Sequence, residues 1–325
     1  MKKILTIQIV LLCVLGILFL GYIRKPVPEK LTFSIASSTS LRMEEPKSQA
    51  SSLLNPLVIA DIDRHYIINF KPLKFQLVAL QKKQPQKTFI YFAYLNNSSW
   101  IGLNEKDFFT AASTVKVPLA MAIYKMEEQG KLKFDDSYSL IELDLDSDFG
   151  QLYKVGADNE FTLEELVAIM LTHSDNTALR ALFHVMELHG VKDPLADVYA
   201  AMGWDYNDFG TKVTYIDINM KTLSNMFMSL YNAVYLSTTD SQKILRYLSQ
   251  SDFNDQIVSG VPKDMLISHK IGVNEKDKTY SDCGIVYAPA RPYIICVGSV
   301  GAPKKDADSF MKSVSRTVYE YVINN

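Results

Sequence analysis

The sequence predicts an α+β fold: an antiparallel sheet flanked by N- and C-terminal helices, with an all-helical lobe inserted into it and one transmembrane helix ahead of it. Three observations carry this expectation. An apolar run fills residues 4–23, strand-type sequence recurs near both ends of the remainder, and the stretch between them has helical periodicity. Strands from the two ends must pair to complete one sheet, so the helices between them have to project from it as a lobe.

In chain order, Met1-Lys2-Lys3 precedes residues 4–23, whose one strongly polar member is Gln8. At about 1.5 Å per residue this run spans roughly 30 Å, the thickness of a bilayer core. The flank Tyr22-Ile23-Arg24-Lys25-Pro26 offers no small-residue cleavage site, so residues 1–23 are expected to stay as a membrane anchor. Cys13 within it is expected to face lipid as a small hydrophobe. Lys2 and Lys3 compete with Arg24, Lys25 and Lys30 for the inside. A three-residue tail is simplest to leave in the cytoplasm, which puts the rest on the extracytoplasmic side of the cytoplasmic membrane. Residues 24–55, with Ser37-Ser38-Thr39-Ser40 and Glu44-Glu45-Pro46, have no periodicity and form a tether. The domain is then 56–325, its sheet part 56–112 plus 258–325 and its helical part 113–257.

Within that domain, residues 69–83 place Phe70, Leu73, Leu77 and Leu80 on one helical face, with Pro72 tolerated near the start. The aromatic and β-branched stretch 88–95, the turn Asn96-Asn97-Ser98-Ser99 and Trp100-Ile101-Gly102-Leu103 predict a β-hairpin. Thr162 and Glu165 form a capping box for a helix whose stripe is Leu163, Leu166, Val167, Met170 and Leu171. Strand signals return at 265–271, 284–287 and 293–297, and a last helix begins near Asp306. The 18 Tyr and 16 Phe are assigned to core and cleft wall.

Composition excludes several functions. With 34 Lys+Arg against 36 Asp+Glu, no excess of positive charge favours nucleic acid, and none is expected as a partner. Three cysteines and five histidines show neither C-x-x-C nor H-E-x-x-H spacing, and His184 and His189 do not share a helical face, so no metal or cofactor is expected. Cys283 and Cys296 lie symmetrically about the turn at Pro289-Ala290. A tight hairpin sets them opposite each other for a disulfide, whereas a one-residue slip sends them to opposite faces.

Three short motifs carry chemistry. Ser113-Thr114-Val115-Lys116, at a helix start, sets a hydroxyl and an amine on one face with free backbone N–H groups nearby. The same spacing recurs at Ser309-Phe310-Met311-Lys312 in a surface helix, which shows how weak it is alone. Ser174-Asp175-Asn176 follows the capped helix, where Ser174 or Asp175 can cap the next one and Asn176 can bind a carbonyl. His269-Lys270-Ile271-Gly272 lies on a strand, with Gly272 permitting close backbone approach. His173 and His269, each preceding a motif, are assigned to packing or a hydrogen bond near the cleft, not to catalysis.

In this order the motifs resemble the S-x-x-K, S-D-N and K-T-G set of class A β-lactamases and related penicillin-binding proteins. The likeness extends over roughly residues 60–325, including Asp282-Cys283-Gly284-Ile285-Val286-Tyr287-Ala288-Pro289 after the third motif. It implies that Ser113 is acylated, that Lys116 is its base or proton relay, and that Ser174 shuttles a proton. It also implies that Asn176 holds the substrate amide, that Lys270 attracts its carboxylate, and that the N–H groups of Ser113 and Val273 form the oxyanion hole, with Gly272 beside them. The implied function is a serine hydrolase opening a β-lactam or a D-Ala-D-Ala-like amide of a peptidoglycan stem peptide.

Two departures qualify that function. Ile271 stands where the family has a hydroxyl that binds the substrate carboxylate. Such a bond to a charged group is worth about 1.5 to 3 kcal/mol. Class A enzymes also deacylate with a loop glutamate, and residues 188–274 contain none. Asp205 and Asp208 fall about where that loop belongs, and both suit a turn. Slow deacylation is therefore expected, leaving open a penicillin-binding D,D-peptidase or a weakened binding protein for cell-wall peptides.

Overall fold

The chain enters the fold through α1 (Lys71–Lys82) in the computed structural model, which describes residues 68–204 and 216–325. The expected anchor, tether and Asp205 and Asp208 lie outside those residues, and among those described no helix is long and apolar enough to cross a membrane. Pro72 sits in the first turn of α1, where a missing N–H leaves no helical bond unmade. The expected hairpin follows as β1 (Lys87–Tyr94) and β2 (Trp100–Leu103), with Ala93 opposite Trp100.

After β3 (Phe109–Thr110), a 3₁₀ turn (Ala112–Val115) leads into α2 (Lys116–Glu128), and the helical lobe begins. The strands β4 (Ser137–Ser139) and β5 (Glu160–Thr162) pair ahead of α3 (Leu163–Thr172). There the expected capping box forms: Thr162 Oγ1 accepts from Glu165 N at 3.2 Å and the Glu165 carboxylate from Thr162 N at 2.8 Å. The lobe continues through α4 (Asn176–Leu188), α5 (Ala196–Ala201), β6 (Asp217–Ile218), α6 (Met220–Asn232) and α7 (Thr238–Ser249). The chain then returns to the sheet as β7 (Ile267–Asn274), β8 (Thr279–Val286) and β9 (Tyr293–Val300), and ends in α8 (Lys304–Asn324).

The sheet order is β2-β1-β9-β8-β7, all neighbours antiparallel, so the two ends of the domain meet at β1 and β9. Alternation along β1 sorts its side chains: Ile90, Phe92 and Tyr94 join Leu73, Leu77, Phe310 and Val314 under α1 and α8, whereas Phe89, Tyr91 and Ala93 face the helical lobe. Both faces are covered, which is why this strand is an unbroken apolar run.

The three late strands extend further than their apolar residues suggest. Ser281, Asp282 and Ser299 are buried within β8 and β9, and such polar residues conceal a strand from hydropathy. The open question of register is settled by the turn that leaves Val286 opposite Tyr293: Cys283 faces Cys296, their Cα atoms are 3.9 Å apart, and a disulfide joins them. Ser309 and Lys312, the second S-x-x-K pair, are exposed on α8.

Phe310, 2% exposed, anchors α8 to the sheet. Phe310→Ala should cost about 3–5 kcal/mol, read as a lower urea midpoint with an unchanged slope.

Candidate active site

The position of Ser113 is set by contacts on two sides. Just before it, Ala111 N donates to Ile216 O at 2.7 Å, and Ala111 O accepts from Thr114 N and Oγ1 at 3.1 and 2.7 Å. The intervening Ala112 is left-handed, with φ 47°. From the sheet, β7 presses against this turn because Gly272 has no side chain. A Cβ there would lie 2.7 Å from Ala111 O and 2.5 Å from Ser281 Oγ. The expected close approach at Gly272 is thus the contact between the sheet and the turn that carries Ser113.

Lys116 opens α2, three residues after Ser113, and its side chain is fully buried. Its Nζ lies 2.6 Å from Ser174 O, 2.8 Å from Asn176 Oδ1, 3.1 Å from Ser113 Oγ and 3.3 Å from Ser174 Oγ. Burial lowers its pKa to about 7, against the opposing pull of Asp175 and Asp146. A neutral amine has two N–H donors and one lone pair. Ser174 O and Asn176 Oδ1 can only accept, so they take the two donors and leave the lone pair to the hydroxyls of Ser113 and Ser174. Such an amine can remove a proton from Ser113 Oγ.

The turn between α3 and α4 supplies those partners. Asp175, not Ser174, caps α4, accepting from Ala178 N at 3.0 Å through one oxygen. Its other oxygen accepts from Gln151 N and Leu152 N at 2.7 and 2.8 Å, tying the 146–152 segment to the helix start. Ser174 is left-handed (φ 54°), an uncommon state for a residue with a Cβ, and its carbonyl accepts from Lys116. Asp146, paired with Arg180, accepts from Asn176 Nδ2 at 3.4 Å and so holds the amide with its oxygen towards Lys116.

On β7, Lys270 is fully buried and its Nζ has no hydrogen-bond partner. Burial, then the charge of Lys116, push its pKa well below the ordinary lysine value, with Asp282 pulling back. The rings of Phe149 and Phe253, 5.7 Å apart, lie 6.0 Å from Lys116 Nζ and 5.7 Å from Lys270 Nζ respectively. Ile271 and Val273 face a cleft of about 690 Å³ together with Ser113, Phe149, Asn176 and Phe253. As expected, the histidines are packed or hydrogen-bonded: buried His269 has its Nδ1 2.8 Å from Asp282 Oδ1 within the sheet, and exposed His173 pairs with Asp252 beside the cleft.

Ser113, Lys116, Ser174, Asn176 and the 270–273 strand therefore converge, although they come from three separate parts of the chain. Asp146, Phe149 and Phe253 escape sequence reading because they belong to no motif. Among the described residues no group of His, Cys, Asp and Glu is placed to hold a metal.

Residues 72–322 match the profile of the β-lactamase enzyme family, Beta-lactamase2. The chain belongs to that family. Among solved structures of the fold, PBP-A superposes with a TM-score of 0.69 at 20% identity, covering 78% of this chain and 97% of that one. A β-lactamase from Sphaerobacter thermophilus gives 0.68 at 20%, covering 78% and 98%. One from Chitinophaga pinensis gives 0.69 at 19%, covering 78% and 100%. No curated protein sequence gives a significant match. The family resemblance suggested by the three motifs is thereby established, and with it the β-lactamase and transpeptidase type of α+β fold.

A lysine with a lowered pKa also leaves a mark on stability. Between pH 7 and the unfolded value of 10.5, native Lys116 holds fewer protons than the unfolded chain, so stability rises with pH over this window. Lys116→Met should remove about 1.4 kcal/mol per pH unit from that slope between roughly pH 7.5 and 9.5, measured from urea midpoints in a pH series.

Proposed function

We propose that the protein is a membrane-anchored serine hydrolase that opens β-lactams or D-Ala-D-Ala-like amides on the outer side of the cytoplasmic membrane, through an ester on Ser113. The observation that carries this reading is the buried Lys116 amine, which satisfies two acceptor-only oxygens and keeps its lone pair for Ser113. As Ser113 attacks the carbonyl carbon, its proton passes to Lys116 Nζ. The N–H groups of Ser113 and Val273 stabilise the oxyanion. Collapse then breaks the C–N bond, with the proton returning to the leaving nitrogen through Ser174. Asn176 orients the acyl amide, and the Lys270 amine, buried without a hydrogen-bond partner, can take up a proton and pair with the carboxylate of an arriving substrate. A variant of PBP-A that shares the fold is known as an acyl-enzyme with penicillin G, which supports a β-lactam as acylating agent.

The ester is expected to be long-lived. No glutamate occurs in residues 188–274 to activate a water, which favours a penicillin-binding peptidase over a fast β-lactamase. Ile271, 6% exposed at the cleft wall, removes a hydroxyl from the carboxylate end and favours the rival reading of a cell-wall-peptide binding protein.

Intact-protein mass spectrometry with benzylpenicillin should show one adduct that is absent in Ser113→Ala and outlasts many acylation half-times. An adduct that clears as hydrolysed drug accumulates would instead establish a fast β-lactamase, and no adduct at any concentration would put the binding protein first. The acylation rate should fall about tenfold per pH unit below pH 7 as Lys116 becomes protonated, and level off above it. Ile271→Thr should raise that rate by about ten- to a hundredfold by restoring a hydrogen bond to the drug carboxylate.

A further inference from the structure

We propose that the outer face of α1, together with Trp100 beside it, rests on an anionic bilayer surface, an inference that builds on the reading of residues 4–23 as a membrane anchor. Charge in this part of the chain has one sign. Residues 68–104 contain five lysines and no Asp or Glu, in a chain whose net charge is −2. Lys87 is paired with Asp107, but Lys71, Lys74, Lys82 and Lys83 are exposed and in no ion pair among the described residues. The neighbouring α8 has the mixed charge of an ordinary solvated helix: Lys304 pairs with Asp308, and Asp306 and Glu320 accompany Lys305, Lys312 and Arg316.

Apolar side chains share the basic face. At 3.6 residues per turn, Lys71, Lys74, Phe75, Val78 and Lys82 fall within about 100° of arc on α1, away from the buried Leu73 and Leu77. Phe75 is 65% exposed and Trp100 54%, and these are the two aromatic members of the large apolar side chains left exposed among the described residues. Ile68, Lys71, Lys74 and Trp100 line one hollow at the surface, which sets the indole beside the lysines. Lys221 Nζ lies 5.7 Å from the Trp100 ring and adds another cation. Two acids border the surface: Glu105, whose carboxyl lies by Gly102 of β2, and Glu320 on α8, whose end is held to Asn69 O by Tyr321 OH. They are outnumbered by Lys71, Lys74, Lys82, Lys83 and Lys221.

Lysines of one sign repel each other in water, and exposed phenyl and indole rings are poorly solvated there. An anionic bilayer relieves both: its phosphates pair with the amines, and the rings reach the boundary of the acyl chains. A soluble polyanion answers the charge and leaves Phe75 in water. Attachment favours the bilayer too, because Ile68, where the described domain begins, lies in the same hollow, and a tethered surface needs little intrinsic affinity. β2 and β7 are opposite edges of the sheet, so this seat turns the cleft beside β7 away from the lipid.

Trp100 reports the contact, since the chain's other tryptophan, Trp204, is 5% exposed. Full-length protein is reconstituted into vesicles of brominated phosphatidylcholine, with or without brominated phosphatidylglycerol. Bromine should quench the emission at least about threefold more when phosphatidylglycerol is present, and salt at about 0.5 M should remove the difference. Trp100→Phe should lose the quenched component. Lys71→Gln combined with Lys74→Gln, and separately Phe75→Ser, should reduce quenching to the phosphatidylcholine level with unchanged far-UV circular dichroism. Equal quenching in the two lipids, quenching that withstands salt, or quenching retained by any of these variants would overturn the inference. Alkaline carbonate washing reads the anchor separately. Protein stripped by carbonate yet quenched at neutral pH and low salt would keep the surface and sink the anchor. Protein that resists carbonate without lipid-dependent quenching would keep the anchor and sink the surface.

Discussion

Two lysine amines are buried within one fold, and the architecture around the cleft is arranged to hold them. Water solvates an ammonium far better than a protein interior does, so full burial pushes both Lys116 and Lys270 towards the neutral form. Neutrality is the useful state for Lys116, because an ammonium has no lone pair to receive a proton. Asp146 and Asp175 limit the shift, so that the amine titrates near pH 7 rather than far below it. These carboxylates are themselves fixed by backbone N–H groups and by Arg180, and cannot swing in to form a direct ion pair with the lysine. The site therefore combines a desolvating apolar lobe with carboxylates held at a set remove.

The discontinuous topology makes that burial feasible. Lys116 approaches from the lobe and Lys270 from the edge of the sheet, each carried by an element with its own apolar anchoring. Gly272 then lets the edge strand and the Ser113 turn meet without a side chain between them. No single helix or hairpin could desolvate two amines this far, since each would expose one face to water. Burying Ile90, Phe92 and Tyr94 on one side of β1 and Phe89, Tyr91 and Ala93 on the other gives the sheet the rigidity to serve as one wall of the cleft.

Much of this was legible in the sequence because it rests on local chemistry. The capping box at Thr162, the hairpin turn after β1 and the i, i+3 spacing of Ser113 and Lys116 each follow from backbone geometry over a few residues. The lengths of β7 to β9 were not legible, because Ser281, Asp282 and Ser299 are polar residues in buried positions and break the apolar pattern that marks a strand. Nor were Asp146, Phe149 and Phe253, whose contacts depend on which distant residue they meet. A carboxylate thirty residues from Asn176 looks like any surface aspartate until α4 and the 146–152 segment are packed together.

The same physical terms set what the cleft will favour. Ile271 puts an alkyl group, not a hydroxyl, at the cleft wall, and Asp148, Asp255 and Glu275 line the same cleft. Lys304, a cation at the same wall, is paired with Asp308, whose other oxygen accepts from Gln256. An alkyl group and several carboxylates on one wall both disfavour an anionic ligand group there, so the buried amines of Lys116 and Lys270 are the groups that would have to offset them.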